Sequence, residues 1–363
     1  MSPQFIRLAH YPQLWTHIDL STIPFQPNLT PLNTFLTKYT PASSIQNLTF
    51  HSTTPAHEFL KFLITLKRLR TRLQKVHLQG KQTTSIVLAA LESLLGNWTH
   101  TLILDTPCTK LDITNITPLI AASPRLKTFV LLTTGKLSEY RVFVTQLMRA
   151  GETSRLHHRY PEMNTRLRTF HVGSTQVQTV KFAVLAEMGR YFPLLEMLRV
   201  ENWKVHVDVP TQCVSIKTLR GLSLLGMEFA ETKQFGGVGN VLSAYLAAFP
   251  TLEYLVLGAR EQVGWKIFSR RPELRGLFSR LDIPRLQVLW LRGWSVDYAD
   301  VLALEAETVR FLVVEECKGL NGGWIKAVQG KWTGVSVIET DTPIKDGIDF
   351  RVAKIRQPEQ RLC

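Results

Sequence analysis

The hexapeptide Leu252-Glu253-Tyr254-Leu255-Val256-Leu257 has the pattern apolar-x-x-apolar-x-apolar, and this pattern recurs along the 363-residue chain. Its period-two alternation places Leu255 and Leu257 on one face of a short strand. Strong copies begin at Leu73, Leu126, Leu167, Leu195, Leu219, Leu286 and Val309. Weaker copies are Trp15…Ile18…Leu20, Ile45…Leu48…Phe50, Leu102 with Leu104, and Trp332…Val335…Val337. One match would mean little, but about twelve in near-regular order predict a repeat protein.

The segments between these strands have the apolar spacing of helices. Phe59, Leu60, Leu63 and Leu66 form one such set; Leu88, Leu91 and Leu95 form a second, and Leu242, Tyr245, Leu246 and Phe249 a third. Pro250 ends the last of them. One strand and one helix cannot bury an apolar face alone, whereas stacked copies share a continuous core.

We therefore predict an α/β leucine-rich-repeat solenoid, a horseshoe of about 12 irregular βα repeats with a parallel concave sheet. A doubly wound α/β sheet is the competing fold, but it has no reason to repeat one strand motif so often. The irregular repeat lengths, and the missing Asn at the turn after most strands, predict an uneven solenoid. The longest step runs from Leu126 to Leu167.

The strand pattern also predicts which residues face a binding partner. The residue between the second and third apolar positions, and the residue two before it, point to the concave side. On three successive strands both positions are apolar or aromatic, namely Tyr254, Val256, Val288, Trp290, Phe311 and Val313. An exposed apolar patch of this size usually marks a binding site, and aromatic residues are typical of interaction hot spots. Alternatively the C-terminal tail, in which Ile348, Phe350 and Val352 alternate like a strand, covers the patch.

Basic residues dominate the charge of the chain. Its 43 Lys and Arg against 29 Asp and Glu give a formal charge of +14. Earlier concave positions, Lys75, His77, His171 and Arg199, predict a polar, basic centre, and His171 and Arg199 extend the partner site. The densest basic patch is Lys67, Arg68, Arg70, Arg72 and Lys75. It either attracts RNA, an acidic protein surface or a nuclear import receptor, or is a solvated helix end and turn.

A basic segment is also predicted within the longest step between strands. It holds Arg149, Arg155, His157, His158, Arg159 and Arg166, which we place in a surface loop. Such a loop either pairs with acidic or phosphorylated segments or is simply solvated.

Catalytic and cofactor motifs are not evident. The four cysteines, Cys108, Cys213, Cys317 and Cys363, lie far apart without the spacing of a zinc site or a disulfide framework. Gly237-Val238-Gly239 lacks the third glycine of a dinucleotide fingerprint. We expect no enzyme activity, no cofactor and no metal. The apolar stretches are too short for a membrane helix, so we expect a cytoplasmic or nuclear protein without membrane association.

The N-terminal segment Leu8-Ala9-His10-Tyr11-Pro12-Gln13-Leu14-Trp15-Thr16-His17-Ile18-Asp19-Leu20-Ser21 resembles fungal F-box/leucine-rich-repeat proteins. It is similar to the passage in which an F-box ends and the repeats begin, with Tyr11 where Ser is usual. The resemblance implies the substrate-recognition half of a ubiquitin-ligase receptor. It also implies domains at 1–14 (a remnant of an F-box-like helix and cap), 15–342 (the solenoid) and 343–363 (a tail or cap). The surface that grips the cullin-ligase adaptor is expected to be absent from this polypeptide.

Three functions are consistent with these patterns. The first is a scaffold that binds a protein partner on its concave face. The second is a nucleic-acid-associated, possibly nuclear, repeat protein that uses the positive charge, although no recognisable RNA-binding module supports it. The third is an inert structural remnant of the family.

Overall fold

The structure is a computed structural model of the chain. It describes residues 11–20, 29–40, 44–51, 55–79, 85–106, 118–120, 122–133, 166–207, 213–260, 273–305, 308–319 and 323–340.

One parallel sheet runs through the molecule, and its twelve strands follow one another in chain order. The strands are β1 (His17–Asp19), β2 (Asn47–His51), β3 (Lys75–Gln79), β4 (Thr101–Thr106), β5 (Thr128–Thr133), β6 (Thr169–Lys181), β7 (Met197–His206), β8 (Gly221–Ala230), β9 (Tyr254–Ala259), β10 (Val288–Arg292), β11 (Phe311–Glu315) and β12 (Ser336–Thr340). A doubly wound sheet reverses its strand order part-way. The uninterrupted order found here is that of the predicted leucine-rich-repeat solenoid.

Short helices connect the strands and lie on the convex side of the sheet. They are α1 (Thr30–Tyr39), α2 (Ala56–Arg68), α3 (Ser85–Glu92), α4 (Phe182–Ala186), α5 (Met188–Tyr191), α6 (Val238–Leu246), α7 (Tyr298–Ala303) and α8 (Trp324–Lys331). Single 3-10 turns occur at Pro12–Trp15, Thr232–Phe235 and Phe278–Arg280. The three predicted helices correspond to α2, α3 and α6, and α1, α2 and α3 pack side by side.

The motif leucines form the core between sheet and helices. The second motif position is at most 1% exposed on each of ten successive strands, β2 to β11, and the third is at most 5% exposed. Aromatic residues replace leucine on β5 and β6, where the rings of Phe129 and Phe170 stack with centroids 6.1 Å apart. Regular burial of the same two positions explains why the motif was recognisable.

Threonines just before the strands join neighbouring repeats. The hydroxyl of Thr251 donates to the carbonyl oxygens of Lys217 and Leu219, both at 3.0 Å. Thr218 and Thr308 donate to the preceding repeat in the same way. Because the acceptors are carbonyls of the preceding repeat, each hydroxyl ties one turn to the next.

The strands β6, β7 and β8 are longer than the rest because each bends and continues past the motif. The bend in β7 lies at Asn202 (φ +59°), and the equivalent residue of β8 is Gly226 (φ +62°). The Asn202 side-chain amide donates to the carbonyl oxygen of Ser174 on β6. Beyond the bend, the Trp203 side chain is fully buried. The predicted unevenness of the solenoid thus includes strand length.

The register of β12 differs from the prediction. Val335 was expected at the second motif position, but its amide donates to Trp332 as the first motif residue does in other repeats, for example Leu286 to Ile283. One residue is missing between the first and second positions, so Val337 pairs with Leu312. The motif pattern alone cannot detect this contraction, because Trp332, Val335 and Val337 match it equally well.

The predicted domain boundaries remain predictions. Of the segment 1–14 the structure describes only residues 11–14, and the tail 343–363 lies outside the described residues. The basic loop of residues 149–159 also lies outside them.

Candidate functional site

The concave face is defined here as the strand face turned away from the helices. Its two predicted columns are confirmed from β2 to β11, since the register pairs each predicted residue with its neighbour. One column contains Tyr254, Val288 and Phe311, and the other contains Val256, Trp290 and Val313. The concave face is therefore a continuous surface whose composition changes along the chain.

The apolar C-terminal block of this face is largely buried, which corrects the prediction that it is exposed. Val256 and Val313 are each 1% exposed, Trp290 is 6% and Val288 is 7% exposed. Neighbouring strands are only about 4.8 Å apart, so a large indole on the middle strand reaches both flanking valines. Val256, Trp290 and Val313 form an apolar cluster separate from the main core, with Leu225 packed against it.

The accessible apolar residues lie around this cluster. Tyr254 and Phe311 are half-buried. Because of the shifted register of β12, Ile338 is the concave neighbour of Val313, and its side chain is 44% exposed. Sequence reasoning placed Ser336 at that position and missed Ile338.

A buried carboxylate fixes the orientation of Trp290. The indole Nε1 donates to Glu315 Oε2 at 3.0 Å, and Arg292 Nε lies 3.4 Å from Glu315 Oε1. The Glu315 side chain is fully buried, and a buried charge is stable only when paired and hydrogen-bonded. The sequence analysis did not single out Glu315 or Arg292. The signal was available, because both residues stand two positions after column members and are paired in the register.

The centre of the concave face is a second polar cluster. Glu201 Oε1 lies 3.0 Å from His171 Nε2 and 2.5 Å from Arg199 Nε. Burial raises the pKa of Glu201, but the hydrogen bond from His171 and the charge of Arg199 outweigh it, so this pKa lies below its usual value. The carboxylate sits over Gly173, where a Cβ atom would lie 3.0 Å from Oε2.

The predicted basic centre is therefore largely neutralised. Glu201 compensates Arg199, and burial lowers the pKa of the half-buried His77, which favours its neutral form. Lys75 adds a positive charge at the start of β3. Glu201 was missed because the prediction covered only the two concave columns, and Glu201 stands two residues after Arg199, in the next concave position of β7.

A comparable cluster follows on the strand extensions. Glu228 of β8 lies 2.5 Å from Lys204 Nζ and 2.8 Å from Arg260 Nη1. Burial raises the pKa of Glu228, but the hydrogen bonds from Lys204 and Arg260 outweigh this effect, so the pKa lies below its usual value. Glu201 and Glu228 are thus each held as the ion-pair partner of cations.

Comparisons with known proteins give one structural similarity and no sequence match. No protein-family model matches the sequence. No curated protein matches it either. Among solved structures, the chain is similar to an internalin from Listeria monocytogenes at 11% sequence identity and a TM-score of 0.40, covering 92% of this chain and 88% of that chain. At this similarity the match carries no functional argument, and the repeat fold rests on the strand order itself.

The predicted basic patch spans a helix end, a turn and the start of a strand. Lys67 and Arg68 occupy the last turn of α2, where cations favour the helix dipole. Arg70 follows in the turn with φ +51°, and the Arg72 guanidinium lies 5.8 Å from the ring centroid of Trp98. Lys75 begins β3 and belongs to the concave face. The segment is thus a helix end and a turn with a lysine at the start of β3, and its role as a binding patch stays a prediction.

Metal-binding clusters and membrane helices are both absent from the described ranges. Among the described residues, no group of three or more His, Cys, Asp and Glu side chains could hold a metal ion. None of the helices in the same ranges is long and apolar enough to cross a membrane.

Proposed function

We propose that this protein is a non-catalytic scaffold that binds another protein on the C-terminal half of its concave face. The observation that carries the proposal is the arrangement of Tyr254, Phe311 and Ile338. These three accessible apolar side chains lie on β9, β11 and β12, within a span of four neighbouring strands about 14 Å across, around the buried cluster of Val256, Trp290 and Val313. Aromatic and aliphatic anchors over a packed base are typical of binding hot spots.

The side chains beneath this surface are held in fixed positions, which supports the proposal. Because Glu315 holds the Trp290 indole and the valines pack on both sides of it, the base cannot change rotamer freely. A pre-ordered surface loses less conformational entropy on association than a flexible one. Arg292 and Glu316, 3.8 Å apart, add a polar edge of the kind that surrounds interface cores.

The cluster of His171, Arg199 and Glu201 would contribute specificity rather than attraction. Its charges are internally paired, so a partner must satisfy a fixed set of donors and acceptors there. An ill-matched partner would leave buried polar groups without hydrogen bonds.

The test compares two exposed isoleucines on opposite sides of the solenoid. Proteins captured from the source cells by the wild-type chain are quantified against Ile338→Asp and against the control Ile86→Asp, which changes a 65% exposed residue of the helical side. We expect a partner that is lost with Ile338→Asp and retained with Ile86→Asp. Equal retention by both variants would contradict the site.

The ubiquitin-ligase role forms a finer part of the proposal. Its support is the resemblance of residues 8–21 to the F-box/repeat junction, together with the entry of that segment into β1 at His17. We propose that this chain recognises the target. Because the adaptor-gripping surface is expected to be absent from this polypeptide, the connection is tested on the captured partner: ubiquitylation of that partner that changes with Ile338→Asp would support it, and unchanged ubiquitylation would leave a binding scaffold outside the ligase.

A further inference from the structure

Backbone hydrogen bonds align a row of residues at the entry edge of the sheet, just before the strands. The amide of His100 donates to Gln74, that of Lys127 to His100 and that of Arg168 to Lys127, each at 2.9 Å. Arg72, Trp98, Arg125 and Arg166 stand two residues before these positions. The side chains of β3 to β6 at this edge therefore lie side by side over about 14 Å.

Five cations occupy this edge, and we name them the basic rim: Arg72, Arg125, Lys127, Arg166 and Arg168. All five are exposed. The described turn residues 69–74, 95–100, 122–127 and 166–168 contain no Asp or Glu. The first acid along the row is Glu196, which pairs with Arg168. That pair is solvent-exposed, so it contributes little and can exchange for another anion.

The charges of Arg125 and Lys127 both act on the side chain of His100. Burial, followed by the charges of Lys127 and Arg125, lowers the pKa of His100. His100 precedes β4, between the turns that carry Arg72 and Arg125. Among the described residues, neither Arg125 nor Lys127 forms an ion pair, so their charge is available to a ligand.

An aromatic ring lies within the same row. Trp98 is 36% exposed, and the Arg72 guanidinium lies 5.8 Å from its ring centroid. Its indole also covers Gly96, where an added Cβ would meet the ring at 2.8 Å. Trp98 and its stacked arginine thus form an ordered platform between charged neighbours.

We propose that the basic rim binds the phosphate backbone of a single-stranded nucleic acid. Arginine forks match phosphate oxygens, and a basic track with an aromatic ring is the combination that single-strand-binding proteins use. The formal charge of +14 adds long-range attraction for a polyanion. An acidic peptide would use the cations but not the aromatic platform, which is why we favour nucleic acid. This site lies on the edge of the sheet and is independent of the concave protein-binding site.

The experiment measures the anisotropy of a labelled oligouridylate over a salt series with the full chain. The test variant Arg125→Gln/Lys127→Gln removes two rim cations. The control Arg285→Gln/Arg310→Gln removes the same charge at the equivalent turn positions before β10 and β11, where both arginines are exposed. Thermal melting of both variants verifies that they fold.

We expect the rim variant to weaken binding by about tenfold or more at low salt. Its log–log salt slope should shrink by about 1.4, from about 0.7 per lost phosphate contact on a single strand, while the control stays near wild type. Three results would overturn the proposal: no binding by the wild type, equal weakening by both variants, or competition by polyglutamate as strong as that by unlabelled oligouridylate. The last would identify the rim as a site for acidic peptides.

Discussion

At the scale of single residues, one buried and one half-buried carboxylate organise the concave face. Glu315 receives the Trp290 indole and Arg292, and Glu201 receives His171 and Arg199. Each carboxylate therefore converts two flexible or charged side chains into a fixed arrangement. Removing one member of such a cluster leaves a charged or polar side chain buried without its partner. The resulting loss of stability exceeds the stability that the intact cluster contributes.

Replacement of Glu315 is predicted to destabilise the fold. Glu315→Ala leaves the buried indole N–H without its acceptor and Arg292 without its partner, so the free energy of unfolding should fall by about 3 kcal/mol or more. Denaturant titration measures it, with Glu339→Ala on exposed β12 as the control, expected within about 0.5 kcal/mol of wild type. A Glu315→Ala variant as stable as the control would show that this carboxylate does not hold the cluster.

Glu201 is predicted to make stability depend on pH. Its folded-state pKa lies below the usual glutamate value, about 4.3, so its contribution is present above that pH and disappears as pH falls through the folded pKa. Glu201→Gln should therefore be less stable than wild type near neutral pH, and the difference should shrink on acidification. Unfolding free energies of both proteins measured from neutral pH downward test this. A difference that stays constant would be inconsistent with an ion-paired Glu201.

At the scale of elements, the bend shared by β7 and β8 depends on a glycine. Gly226 has φ +62°, and an added Cβ would lie 2.1 Å from Asn202 Oδ1. Gly226→Ala should cost about 1–3 kcal/mol through strain and loss of the Asn202 contact. Gly330 in α8 has open space around it, so Gly330→Ala should instead stabilise the helix by about 0.5–1 kcal/mol. Thermal melts of the two variants should shift in opposite directions, and a neutral Gly226→Ala would exclude a tight bend.

The sequence predicted the strands and their register better than the environment of individual side chains. Burial of two motif positions per strand is a local pattern, so ten strands and both concave columns could be aligned without coordinates. The contraction before β12 and the bends in β6 to β8 depend on backbone conformation at Gly334, Asn202 and Gly226, which no apolar pattern encodes. Exposure of the block around Trp290 was wrong, since Val256, Trp290 and Val313 pack against one another and are at most 6% exposed, and no apolar pattern encodes that packing. Glu201 and Glu315 were missed because their roles depend on partners one strand away.

At the scale of the whole molecule, one sheet connects both proposed sites. The basic rim lies at the strand entries of β3 to β6, and the apolar site lies on the concave face of β9 to β12. Because each repeat contacts mainly its neighbours, the two sites can be altered independently. In double variants that combine a rim and a concave substitution, each substitution should therefore weaken binding at its own site by the same amount as it does alone.

The continuity of the sheet across the longest step is the claim on which both sites depend. Thr128 of β5 and Thr169 of β6 are register neighbours. Their Cα atoms should be about 5 Å apart, within disulfide range. Met197 lies one strand further, too far from Thr128 to be bridged. In a chain whose native cysteines are replaced, Thr128→Cys/Thr169→Cys should cross-link on oxidation and Thr128→Cys/Met197→Cys should not. Efficient cross-linking of the second pair in place of the first would contradict the solenoid described here.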